Sequence, residues 1–407
     1  MTDRPRVVLV SHSARLGGAE RALLETVDAL LSGGFGCRAL LPRAGPLREA
    51  LEERRVPVVV LPFKWWTALP HTGRWRRAMR TGWNVVLAAW LAGRLRAWGC
   101  DLVYSNTLSV FVGALAARMA RRPHVWHVHE LGLRHTGALF DVGEQRALRL
   151  LDRWSDTLVA CSRAVEAWLA ASVPPEKIRV VYQSVPAGTD LVGAIPKGPR
   201  VRLVCVGSLS RFKRQGDAVQ ALARLVERGV DAELLLVGEG DPAYLVQLVR
   251  LVEHERLTDR VQLLGELPSA WPVLASADVV VTCSQHEGFG RTVVEAMKAG
   301  KPVVGADSGG TAELIRHGAT GLLYPAADVT ALADAVELLV RCLLYTSDAA
   351  DDLLCVDLGG RRILKKKKII TKNYLSGSYQ WNIHTPQPND TTSHCVTQPA
   401  RRYTQFH

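Results

Sequence analysis

The sequence predicts an α/β protein made of two Rossmann-like, doubly wound parallel-sheet domains facing across a cleft. Three observations point there. Short unbroken apolar runs, such as Val279–Val281 and Val303–Val304, suit strands buried on both faces of a parallel sheet. Runs of this kind alternate with helix-length segments through both halves of the chain, with short connections. Between the halves lies a Gly- and Pro-rich stretch, Pro186–Pro199, that reads as a linker.

The elements follow in order. In a first domain, residues 1–186, strands are expected at Arg6–Ser11, Cys37–Leu41, Val56–Leu61, Leu102–Ser105, Val125–Val128, Thr157–Ala160 and Ile178–Tyr182. A long helix should separate the third from the fourth. After a linker at 187–199, residues 200–341 offer strands at Leu203–Val206, Leu234–Val237, Val261–Leu264, Val279–Thr282, Pro302–Gly305 and Gly321–Leu323. The chain has 407 residues and is 48% hydrophobic, which leaves room and apolar mass for two cores.

From Cys342 the character of the sequence changes abruptly, to CLLYTSDAADDLLCVDLGGRRILKKKKII. Cys342–Asp351 is encodable by a string resembling the transposase end and adapter of a sequencing library. Cys355–Arg362 resembles a second adapter, and Lys365–Lys368 fits a run of A. Residues 342–407 are therefore expected to be a non-native artefact tail and are set aside from fold reasoning. They hold nine Lys+Arg against five Asp+Glu, so residues 1–341 carry +8 of the formal +12. The lysine cluster is accordingly not read as a nucleic-acid surface. Five cysteines precede the tail, far apart and without a CxxC pair, as expected of free thiols in a reducing cytosol. The chain enters a strand almost at once, and no apolar run is long enough to span a bilayer. A cytoplasmic protein is expected.

The richest stretch is Val279–Tyr324. Two carboxylates, Glu287 and Glu295, bracket a glycine-rich turn, Gly288-Phe289-Gly290, that leads into a helix. Glycines let a backbone approach a ligand closely, and a helix N-terminus offers free N–H groups to an anion. Two carboxylates so placed reach different parts of one extended polar ligand, such as a sugar joined to a phosphate. Glu287-x7-Glu295, then Ala-Met-x-x-Gly-x-Pro-Val-Val, then Gly309-Gly310-x-x-Glu313, resembles the signature of the family-4 (group 1) retaining glycosyltransferases. That resemblance implies the GT-B fold and transfer of a sugar from a nucleotide-sugar donor to a glycan or lipid-linked acceptor.

Other segments carry the resemblance further. Gly17-Gly18-Ala19-Glu20 after the first strand resembles the family loop that faces donor phosphate and acceptor; it is not the G-x-G-x-x-G dinucleotide fingerprint. His129, in Trp126-His127-Val128-His129-Glu130 at a strand's carboxyl end, matches a histidine that contacts the donor sugar, with His127 as a second candidate. Gly207 opens a loop in which Lys213 matches the family lysine that neutralises the diphosphate. The family arginine position is Ser208 here, a departure, and Arg211 is close enough to substitute. Gly238 and the Gly265-Glu266-Leu267 loop are expected near base and ribose. Phe289 and Gly290 should supply backbone N–H groups, with Arg291 and Thr292 beside the donor, Glu295 on the ribose diol and Glu287 on the sugar hydroxyls. Gln183 and Ser184 stand where the family has Asn and Gly. By resemblance, further helices would follow residue 341 and brace the first domain. No DxD-type motif stands at a strand end, so no metal and no resident cofactor are expected.

Phe63–Trp98 stands apart, with six of the eleven tryptophans and Arg74, Arg76, Arg77, Arg80, Arg94 and Arg96. Trp beside Arg suits an anionic membrane surface. Val85–Leu91 also suits a core or an acceptor-pocket wall, and the sequence leaves both open. Three other functions share parts of the pattern: a GT-B sugar-nucleotide epimerase, a nicotinamide-dependent oxidoreductase, which the missing fingerprint weakens, and a non-catalytic sugar-nucleotide-binding protein.

Overall fold

The structure, a computed structural model, describes residues 4–133, 138–186, 188 and 195–348. The first domain has strands β1 (Arg6–Ser11), β2 (Gly36–Leu41), β3 (Val58–Val60), β4 (Thr67–Ala68), β5 (Leu102–Asn106), β6 (His124–Val128), β7 (Leu139–Phe140), β8 (Thr157–Ala160) and β9 (Ile178–Val180). Helices α1 (Gly18–Ser32), α2 (Pro46–Glu53), α3 (Arg74–Ala97), α4 (Val112–Ala120), α5 (Glu144–Trp154) and α6 (Arg163–Ala170) connect them. Among the described residues seven strands make one parallel sheet, ordered β3-β2-β1-β5-β6-β8-β9. The two-residue strands β4 and β7 pair antiparallel beside it, a ladder that the apolar pattern does not announce.

The second domain has β10 (Val201–Val206), β11 (Ala232–Val237), β12 (Val261–Leu263), β13 (Val279–Thr282), β14 (Val303–Ala306) and β15 (Leu322–Tyr324). Its helices are α7 (Gln215–Glu227), α8 (Pro242–His254), α9 (Trp271–Ser276), α10 (Arg291–Lys298), α11 (Gly309–Leu314) and α12 (Val329–Asp348). The parallel sheet runs β12-β11-β10-β13-β14-β15, which is the doubly wound order 3-2-1-4-5-6. Its strands are mostly apolar because helices cover both faces: Leu234 to Leu236 are wholly buried, and Leu332, Ala333 and Val336 of α12 pack into the same core as α7. Arg202 and Glu233, at the start of neighbouring strands, pair with each other at 2.6 Å. α12 runs past the composition change at Cys342; from residue 349 the expected artefact tail lies outside the described residues.

Each sheet reverses its winding at one place, between β1 and β5 and between β10 and β13. Open α/β sheets place their ligands in the crevice outside such a switch point, at the carboxyl ends of the strands. The loops after β1, β5, β6, β10 and β13 meet there, and they hold most of the residues singled out in the sequence.

The Trp/Arg segment resolves into two faces of α3. Leu87, Ala88, Leu91, Ala92 and Leu95 are buried in a core shared with α4. Trp75, Met79, Trp83, Val86 and Trp90, spaced by four, four, three and four residues, form an exposed stripe on the other side. The core reading of this segment holds for the buried face.

Candidate active site at the domain cleft

The second domain presents a pocket at the carboxyl edge of its sheet, lined by Lys213, Gln215, Thr282, Ser284, Glu287 and Thr311 among others. Lys213 Nζ donates to Glu287 Oε2 at 2.6 Å. The hydroxyls of Thr282 and Thr311 are buried here without a hydrogen-bond partner among the described residues. Buried polar groups are normally satisfied, so two unpaired hydroxyls beside an ion pair mark a place built for a polar ligand.

Glycine makes the pocket possible. Gly238 (φ +139°) follows β11, and a Cβ there would lie 2.2 Å from the Gly207 carbonyl oxygen, so these two strand-end loops touch backbone to backbone. Gly290 (φ +99°) takes the left-handed region and starts α10. Gly309 and Gly310 close over the 287–289 turn, with Gly310 N donating to Glu287 O at 2.8 Å.

Ser208 offers its carbonyl to the buried Gln215 side chain at 3.0 Å, and Gln215 Oε1 accepts from Ser210 N. Arg211 is turned outward onto Gln247 of α8 at 3.0 Å, away from the pocket. Thr292 Oγ1 donates to Val206 O at 3.4 Å. Glu295 lies one helical turn beyond Arg291; burial raises its pKa, opposed by the charges of Arg291 and Arg21.

Across the cleft stands His129. Its Nε2 meets Asn106 Oδ1 at 2.7 Å and its Nδ1 meets Gln183 Nε2 at 2.8 Å. Burial, then His127, His12 and Arg291, push its pKa well below 6.5, so the imidazole is neutral. The His127 ring lies 4.0 Å from the His129 ring, centroid to centroid, and its Nδ1 meets the Tyr104 hydroxyl. Glu20 is buried, with its carboxyl 3.1 Å from His12 Nδ1 but without hydrogen-bond alignment, and burial raises its pKa to about 7. Gly17 caps α1 where a Cβ would come within 2.9 Å of the Glu20 carboxylate. Glu130, held by N–H groups of Leu108 and His129, is likewise pushed up to about 7 by burial.

Several of the expected donor residues also hold the domains together. Phe289 packs in a cluster with Trp66, Trp126, Leu133 and Val185 of the first domain. A Cβ on Gly288 would lie 1.9 Å from the His129 carbonyl oxygen, so only glycine lets these loops meet. Arg291 forks onto Glu25 of α1 at 2.7 and 3.0 Å, with Gly18 beside it. Glu313 accepts from the N–H groups of Arg163 and Ala164 at 2.9 and 2.6 Å, capping α6 from the other domain, and from Tyr182 Oη at 3.1 Å. Asn106, Glu25 and the buried state of Glu20 were not visible in the sequence. A polar residue ending an apolar strand, as in Val103-Tyr104-Ser105-Asn106, is the one signal that could have flagged Asn106.

Comparison with known proteins agrees with this geometry. A family model described as Glycosyltransferase Family 4 matches residues 16–187, and one described as Glycosyl transferases group 1 matches residues 200–342. D-inositol 3-phosphate glycosyltransferase 1 of Catenulispora acidiphila is 30% identical over 291 residues, 63% of this chain and 68% of that protein. N-acetyl-alpha-D-glucosaminyl L-malate synthase of Bacillus anthracis is 40% identical over 138 residues, 34% of this chain and 35% of that protein. The first of the curated relatives are matched over only 35% to 61% of their length. Among solved structures, Anabaena HepE in complex with UDP and glucose superposes with a TM-score of 0.66 at 25% identity, covering 92% of this chain and 100% of that one. The chain has the GT-B fold and belongs to the family-4, group 1 glycosyltransferases.

Proposed function

We propose that this protein transfers a sugar from a nucleotide-sugar donor to a glycan or lipid-linked acceptor, with retention at the anomeric carbon and without a metal ion. The observation that carries this reading is the Lys213–Glu287 pair in a pocket with unpaired buried hydroxyls, opposite His129. A donor diphosphate would take Lys213 and leave Glu287 free to accept from the sugar hydroxyls. The acceptor oxygen then bonds to the anomeric carbon as the bond to the β-phosphate oxygen breaks. The acceptor proton passes to that departing oxygen, on the face the leaving group vacates. Lys213 stabilises the growing diphosphate charge, the role a divalent cation would otherwise serve. The UDP in the similar HepE complex favours a uridine donor for this pocket. A role in cell-surface polysaccharide or glycolipid synthesis, on the inner face of the plasma membrane, fits an acceptor held at a lipid surface.

The α3 stripe supports that last point. The helix carries six arginines and no acidic residue, and Arg76 and Arg94 lie over the exposed rings of Trp75 and Trp90. Arg80 is held by Asp141, and Arg77 and Arg96 by backbone carbonyls, which leaves Arg74, Arg76 and Arg94 for the stripe. An aromatic stripe bordered by cations suits an anionic leaflet. Among the described residues no helix is long and apolar enough to cross a membrane.

The deciding experiment incubates the protein with labelled UDP-, GDP- and ADP-sugars and an acceptor panel in the presence of a chelator, then assigns the anomeric configuration of the product by NMR. Transfer with retention is expected. Interconversion of the donor would indicate an epimerase, and tight nucleotide-sugar binding without any product would indicate a binding protein.

A further inference from the structure

A chain of polar side chains runs through the cleft, and its direction is set from both ends. Arg291 is a donor only, so its Nη1 at 3.3 Å requires the Gln183 oxygen, Oε1, to face it. The Gln183 amide nitrogen therefore faces His129 Nδ1 and donates to it at 2.8 Å. Starting instead from the first domain, Ala19 O is an acceptor only, so Asn106 Nδ2 donates to it at 3.0 Å. That leaves Asn106 Oδ1 to accept from His129 Nε2 at 2.7 Å. The His129 ring therefore carries its proton on Nε2 and a lone pair on Nδ1.

We infer that Gln183 is a positioning residue, which holds His129 in the neutral Nε2–H tautomer and ties the orientation of that ring to the interdomain Arg291–Glu25 pair. Two links carry this. His129 bridges Asn106, behind the Gly17–Glu20 loop, to Gln183, which leads into the linker. Arg291 reaches Glu25, Gln183 Oε1 and Ser184 O together from the second domain. When the domains part, Arg291 leaves Gln183 and no longer holds the amide against flipping its oxygen toward Nδ1, while Asn106, anchored on Ala19 O within the first domain, still holds the Nε2 proton. His129 is thus held from both ring nitrogens in the closed cleft and from Nε2 alone when the domains part. The Gln that departs from the family pattern has the reach for this: its amide spans from His129 to Arg291, which an Asn, one methylene shorter, would not.

The titratable groups facing His129 are His127, its ring tilted against it, His12 and Glu20 behind the β1 loop, Glu130 next in the chain, and Arg291 across the cleft. Gln183 Nε2 meets Nδ1 at 2.8 Å, so a change at Gln183 reads out on that nitrogen.

The test is nitrogen-15 NMR of the histidine rings in the full chain, without substrate, with the His129 signals assigned by their loss in His129→Asn. Wild type should show an unprotonated Nδ1 and a protonated Nε2 that persist as pH is lowered through the ordinary histidine range. Gln183→Met keeps the bulk and removes the amide; Asn106 still holds the Nε2 proton, and the Nδ1 signal should shift as that nitrogen loses its hydrogen-bond donor. Gln183→Glu offers Nδ1 an acceptor in place of a donor, so His129 should carry a proton on Nδ1 and begin to titrate. Where turnover is assayed, Gln183→Met should lower kcat roughly 10- to 100-fold, the scale of a misplaced reacting group, with donor KM nearly unchanged. Unaltered Nδ1 and Nε2 signals in both variants would overturn the assignment, even if activity fell. Because the NMR readout needs no substrate, it stands apart from the glycosyl-transfer reading, whose failure would leave these signals as expected.

Discussion

At the scale of single residues the site depends on a partly buried ion pair. Lys213 pairs with Glu287 at 2.6 Å in the pocket. Replacing Lys213 by Ala should weaken UDP binding by about 1–3 kcal/mol, the usual range for a charge-assisted hydrogen bond, and lower turnover further. Isothermal titration with UDP and with free glucose separates the effects, since only the former should change. Glu20 makes a different prediction. Burial raises its pKa from 4.5 to about 7, so the native state binds its proton more tightly than the unfolded chain does. Its contribution is fully present below pH 4.5 and is lost as pH rises through 7. Glu20→Gln lacks that loss. It should match wild type near pH 4.5 and exceed it by about 2–3 kcal/mol at pH 8. Glu130, raised to about 7 by burial with a smaller part from the Glu20 charge, adds a slope of the same sign that is slightly less in the variant, while His12, lowered to about 4, loses its contribution as pH falls from 6.5 through 4. Urea melts of the pair across this window isolate Glu20.

At the scale of elements, the exposed stripe of α3 is separable from its buried face. Exchanging Trp75, Met79 and Trp90 for Ser should leave the melting temperature within a few degrees, because exposed substitutions usually shift stability by about 0.5 kcal/mol or less each. The same change should abolish co-sedimentation with phosphatidylglycerol vesicles at low salt. Wild-type binding should weaken as salt screens the arginines. Retained binding by the triple variant would remove α3 from the membrane reading. The turn before α10 is less forgiving. Gly288→Ala puts a methyl group into the His129 carbonyl, where neither backbone can retreat, so the cleft must open. Loss of turnover by more than about a hundredfold, with the fold intact by circular dichroism, is expected of a reacting geometry displaced by an ångström or so.

At the scale of the whole molecule, charge pairs and one aromatic plug join the two sheets. Glu25–Arg291 is largely buried, and Glu313 caps a helix of the opposite domain. A double-mutant cycle on Glu25→Gln and Arg291→Met should return a coupling of about 1–3 kcal/mol in urea unfolding. Small-angle scattering should show a larger radius of gyration for Arg291→Met than for wild type; an unchanged radius would mean that the remaining contacts, Phe289 and Glu313 among them, set the closure.

The sequence by itself determined both sheets, most of the strands to within a residue or two, and the strand-end loops that carry Glu287, Lys213 and the glycines around them. It could do so because buried parallel strands are continuously apolar and strand-end loops are adjacent in sequence to the strands that aim them. The Gly207, Gly238 and Gly290 positions were legible because no other residue fits a positive φ or a backbone contact there. The tertiary structure alone decided which residues meet across the cleft. Arg291 pairs with Glu25, 266 positions away, and Glu313 with the start of α6, 149 positions away. No local period or motif records contacts of that separation, since they depend on how two rigid domains dock rather than on how either one folds. The same reason hid Asn106 and the part played by Gln183, which in the sequence showed only as a departure from a pattern. It also divided the Trp/Arg helix, where tryptophans look alike in a string and only packing against α4 decides which face is buried.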